Sequence, residues 1–167
     1  MRIDRWMSIA SLLQWIESTD LSTAIREGAL YYPILGGFHL LGIALFGGMV
    51  LVTDLRLLGW AMRRHAVSDI VRQFRAWKRV GFGIVVASGM LLAWAEPLKL
   101  YRSPAFWVKM VLLAMVGVHA LGFRARVYGN TASPEVAGTA EGKLAAATSL
   151  LLWAALIVSG RLIAFDA

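Results

Sequence analysis

Apolar residues run almost unbroken through four stretches of the chain, residues 29–52, 80–95, 105–123 and 144–160. A helix rises about 1.5 Å per residue, so roughly 20 apolar residues cross a hydrocarbon core about 30 Å thick. The first and third stretches meet that length outright. The second and fourth reach it when Arg79, Glu96 and Arg161 extend their charges to the headgroups. The pattern predicts an all-α, integral membrane four-helix bundle, a single transmembrane domain over residues 1–167 whose spans match those stretches.

Two more segments carry a helical period with a polar side. Trp6, Ile9, Leu12, Leu13 and Ile16 share one face of a segment near residues 5–17, with Ser8, Ser11, Gln14 and Glu17 opposite. Val67, Ile70, Val71, Phe74 and Trp77 do the same near residues 66–79, with Arg72, Arg75, Lys78 and Arg79 on the wet side. Both are expected to lie in the membrane interface as amphipathic helices. The polar interruptions also separate the N-terminal segment from a cleavable signal peptide. Asp20 or Ser22 is expected to cap a helix continuing into the first span, and Pro33 to kink that helix. Ser103-Pro104 should start the third span, and residues 128–142, rich in small residues with Pro134, read as the one flexible loop.

Composition sharpens the class. Hydrophobic residues make up 59% of the chain and charged residues 16%, against about 45–50% and about 25% in soluble domains. Cysteine is absent, which excludes disulfides, thiolate metal sites and thiol nucleophiles. The net charge of +7 does not call for nucleic acid, because basic loops hold membrane helices against anionic lipid. Ten basic residues fall in the connections after the first and third spans and seven on the other face, and the densest cluster is Arg56, Arg63, Arg64, Arg72, Arg75, Lys78 and Arg79. That face is expected to be cytoplasmic, with both termini in the periplasm of a bacterial inner membrane.

Candidate chemistry centres on histidine, since an ionisable residue inside a membrane helix is costly and suggests function. His39 lies in the first span with Gly36 and Gly42 on its face, and His119 lies in the third with Gly122 on its face. Two imidazoles on neighbouring helices could bind a haem b iron, with glycines making room for the macrocycle, which makes His39, His119, Gly36 and Gly42 the cofactor candidates. Both helices run the same way, however, and a depth offset of about 7 Å separates the two histidines. Copper on His39 is the alternative metal, with Met49, Met90, Met110 and Met115 inside the spans. The small-residue steps Ala44 to Gly48 and Gly83 to Ala87 suit tight helix packing. Lys109, Arg161, Glu96 and Asp166 gather near the outer helix ends, where they could pair or bind a quinone headgroup or lipid phosphate. Asp54 and Arg56 look like a boundary ion pair. No Ser, His and acid residues fall into a hydrolytic arrangement and no phosphate-binding loop precedes a helix, so a non-catalytic role is the expectation.

Tyr32-Pro33 with His39-Leu40-Leu41-Gly42, then Asp54-Leu55-Arg56-Leu57-Leu58-Gly59, Pro104-Ala105-Phe106 with Lys109, and Ser159-Gly160-Arg161-Leu162-Ile163-Ala164 together resemble a bacterial family of small four-helix inner-membrane proteins, domain of unknown function 6644. The resemblance spans nearly the whole chain and implies the fold without a reaction. The chain departs from that family's pattern at Gly36, His119 and Arg124. Its hydropathy is also similar, at the level of fold, to copper-resistance D-type membrane proteins and membrane b-type cytochromes. Three functions stay open at this point. They are a non-catalytic membrane subunit or anchor, working as a homo-oligomer or with a membrane or periplasmic partner; a haem-b electron carrier; and a copper-handling protein.

Overall fold

The computed structural model describes residues 9–123 and 137–166. Among them the chain forms α1 (Ile9–Glu17), α2 (Asp20–Glu27), α3 (Tyr31–Leu57), α4 (Val67–Ala95), α5 (Pro97–Arg102), α6 (Pro104–Phe123) and α7 (Ala140–Leu162). No strand occurs among the described residues. The helices α3, α4, α6 and α7 are each long and apolar enough to cross a membrane, which makes this a multi-pass membrane protein. The beginning of the amphipathic segment near residues 5–17 and residues 128–136 of the expected loop lie outside the described residues.

The helix boundaries follow from local chemistry and differ from expectation in three places. Thr19, not Asp20 or Ser22, caps α2 by accepting from the Ser22 amide, and α2 ends at Gly28 instead of entering the span. Pro33 falls in the first turn of α3, where a missing amide costs no hydrogen bond, so no kink is needed. The segment near 66–79 leads directly into the second span, and the two form one helix of 29 residues, α4, because nothing in Arg79-Val80-Gly81 breaks the period. At α7 the Thr139 hydroxyl accepts from the Gly142 amide at 3.1 Å and starts the helix four residues before residue 144.

The end of α3 explains the Asp-Leu-Arg-Leu-Leu-Gly motif. Gly59 has φ +80°, a conformation glycine adopts without the Cβ penalty. The Trp60 amide reaches back to the Leu55 carbonyl at 2.9 Å and the Gly59 amide to Arg56 at 3.0 Å. This is a Schellman closure, which satisfies carbonyls the helix end would leave open.

Packing places the spans in the order α4, α3, α7, α6, so that the second and third spans, α4 and α6, line a groove together with α1 and α5. The α3–α4 seam is the tightest. A Cβ on Gly42 would meet Ile84 Cγ2 and Val85 Cγ2 at 2.9 Å, and one on Gly81 would meet the Phe46 amide nitrogen at 3.0 Å. Small residues here let two backbones approach, where dispersion replaces the missing hydrophobic drive between membrane helices. The Gly48 and Gly83 positions of the expected small-residue steps have open space instead. Phe46 anchors the centre, its ring 5.6 Å from both Phe82 of α4 and Trp153 of α7. At the end carrying the basic turn, Leu57, Val67, Ala145 and Ala146 close a small core. At the opposite end α1, α2 and α5 cover the bundle, and α6 buries none of its residues within the chain.

Candidate functional site

His39 sits on α3 against α4, two turns below the covered end. Its Nδ1 lies 3.0 Å from Ser88 Oγ. Ser88 Oγ also lies within hydrogen-bond reach of the Ile84 and Val85 carbonyls; when its hydrogen goes to one of them, its oxygen accepts from an Nδ1–H. The Val85 carbonyl also lies against the ring. In that tautomer Nε2 keeps its lone pair. Gly89 makes the approach possible, since a Cβ there would stand 3.0 Å from His39 Cε1. Ser88 carried no motif. Its signal in the sequence was a depth: it lies seven residues before Ala95, as His39 lies eight after Tyr31, and polar groups at one depth on antiparallel neighbours can meet.

The four charges expected to gather at this end separate into different roles. Asp166 Oδ2 accepts from the Ser103 hydroxyl at 2.5 Å and the Ala105 amide at 3.1 Å, which caps α6 from the end of the chain. Ser103 Oγ accepts in turn from the Phe106 amide. Glu96 accepts from Tyr32 Oη at 2.9 Å and stands 4.0 Å from Lys99 Nζ. Arg161 lies over the Phe165 ring. Neither Arg161 nor Lys109 has a hydrogen-bond or ion-pair partner among the described residues, and Lys109 lacks even a ring contact. Its Nζ lies where α7 offers Gly160, 3.5 Å from the place of a Cβ, and within electrostatic range of His39.

Beside these residues, between α4 and α6 and under α1 and α5, lies an apolar groove of about 470 Å³. Met90 and Trp94 form one wall and Phe106 and Trp107 the other. The carbonyl end of α4 is held at its rim by α2, where Ser22 Oγ donates to the Ala95 carbonyl at 3.0 Å and Arg26 Nη1 adds a second donor at 3.4 Å. Trp94 Nε1 donates to Thr19 Oγ1.

The other end holds a second polar group. Asp54 is 4% exposed and its Oδ2 has no hydrogen-bond partner among the described residues. Ser149 faces the carboxyl from α7, while Lys78 of α4 donates to Thr53 Oγ1 at 3.2 Å. The expected Asp54–Arg56 ion pair does not form. Arg56 turns to backbone carbonyls, its Nε donating to His65 at 2.8 Å, which folds the α3–α4 turn back on the helix end.

The structure thus distributes the predicted cofactor residues. His39 and Gly42 share the α3–α4 seam. Gly36 has open space where a side chain would stand. His119 belongs to α6, whose packing partner is α7, and its ring lies 4.7 Å from Phe123. No group of three or more metal-ligating side chains occurs among the described residues. No curated protein and no solved structure matches the chain. A family of unknown function, DUF6644, matches residues 12–166. The chain belongs to this family.

Proposed function

We propose that the protein is a non-catalytic subunit of a bacterial inner-membrane assembly, a four-span scaffold with both termini in the periplasm. The observation that carries this reading is the His39–Ser88 bond. It joins α3 to α4 inside the bilayer, and three further polar side chains act in the same way. Ser22 ties α2 to α4, Lys78 ties α4 to α3, and Asp166 ties the end of the chain to α6. Each of these four side chains meets a group on a second element, which fixes register as well as removing the cost of an unpaired group in lipid. The lipid-side faces of α6 and α3 stay free for a partner or a second copy. The orientation rests on the basic turn between α3 and α4. Extracted from its own membranes in mild detergent and weighed by native mass spectrometry, the protein should appear with a second chain bound. A uniform monomer overturns the subunit reading.

A second reading rests on the Nδ1-protonated tautomer that the Ser88 contact permits. An imidazole whose Nδ1–H is held by a neighbour presents Nε2 as a ligand, as metal-bound histidines do. His39 could hold haem b, or copper, in this way. The main packing partner of α6 is α7, which makes His119 a poor candidate for the axial partner of such a haem.

A further inference from the structure

Lys109 and the groove beside it have no part in the scaffold reading. We propose that together they bind one anionic phospholipid, its phosphate on Lys109 Nζ and one acyl chain in the groove between α4 and α6. The ammonium is set at Gly160, two residues before the end of α7, which is headgroup depth. It needs a counter-charge there. Four carboxylates of this end are engaged, Glu96 by Tyr32 and Lys99, Asp166 by the start of α6, and Glu17 and Glu27 by Arg26, and the exposed Asp20 lies in the first turn of α2. The exposed Lys99 and Arg102 add positive charge nearby. A zwitterionic headgroup would set its own ammonium against Lys109 Nζ, so charge complementarity selects a net anion.

The groove fits the rest of such a molecule. Phe106 lies one turn before Lys109 on the same face of α6, so the apolar wall and the ammonium adjoin. Met90 and Ala93 form the facing wall on α4. These two helices stand apart while the other neighbouring spans are packed, and an acyl chain between them supplies the dispersion contacts the protein does not. Trp94 and Trp107 sit at the mouth, at the depth where indole rings mark the interface.

The test is lipid add-back to the delipidated, detergent-purified full chain, read by native mass spectrometry with dioleoyl-phosphatidylglycerol and dioleoyl-phosphatidylcholine. Wild type should bind one phosphatidylglycerol about tenfold or more tightly than phosphatidylcholine. Lys109→Gln should abolish that preference and Lys109→Arg should keep it. Ala93→Phe should fill the groove and weaken both lipids, with circular dichroism unchanged. Equal affinity of wild type for the two lipids, or a preference that survives in Lys109→Gln, overturns the proposal. Displacement of bound phosphatidylglycerol by decylubiquinone at equal concentration also overturns it and gives the groove to a quinone. None of these outcomes depends on His39, so the scaffold reading stands or falls separately.

Discussion

Replacing Gly42 by leucine should weaken the bundle through the α3–α4 seam. A first carbon at this position already stands 2.9 Å from two methyl groups and 3.0 Å from the Val85 backbone nitrogen. Methyl groups can rotate aside, but the backbone of α4 cannot. A leucine adds three more carbons, so the helices must separate, and the neighbouring contacts of Gly81 with Phe46 and Gly89 with His39 open with them. Overpacking of this kind costs about 1–3 kcal/mol. For a chain of this size 1 kcal/mol corresponds to about 2–4 °C, so the melting temperature should fall by roughly 2–12 °C. Gly36→Leu is the control, because open space surrounds that position on the same helix. Thermal unfolding in one detergent, followed by circular dichroism at 222 nm, compares them directly. Equal melting of Gly42→Leu and wild type, or equal losses in both variants, would refute the packing account.

The His39–Ser88 bond should show a coupling of about 0.6–1.5 kcal/mol in a double-mutant cycle of His39→Ala and Ser88→Ala; strict additivity would mean that the bond does not join the helices. Asp166→Ala removes the acceptor at the start of α6 and should cost about 0.5–2 kcal/mol in detergent unfolding, whereas an unchanged midpoint would place the C-terminus away from α6. Reporter fusions should read Ser68 as cytoplasmic and the C-terminus as periplasmic; a cytoplasmic C-terminus would contradict either the span count or the orientation.

Period and length made the four spans legible, because a membrane admits few alternatives to a helix of about 20 apolar residues. Residue type made Ser103-Pro104 legible as a start, and α6 begins at Pro104. What stayed hidden were partners set by three-dimensional register. Glycine spacing pointed to Gly48 and Gly83 as well as to Gly42, and only the crossing of α3 on α4 decides which of them meet a neighbour. The charges at the covered end looked like a single cluster in one dimension. Asp166 left that cluster because the chain's last turn folds onto α6, a contact across 61 residues. Lys109 could snorkel from its position one and a half turns into the helix, but that it lacked a partner followed only from where the carboxylates went. Gly59 belonged to a recognisable motif, while its reason, a positive φ closing α3, required the backbone.

The account makes His39 a pin between helices, and the visible spectrum of the purified protein tests that most directly. Wild type expressed with ample haem and iron should be colourless, and His39→Ala should lower its melting temperature without changing its absorption. A Soret band in the wild type that disappears in an inserted and folded His39→Ala variant would contradict the scaffold reading and assign Nε2 of His39 to haem iron.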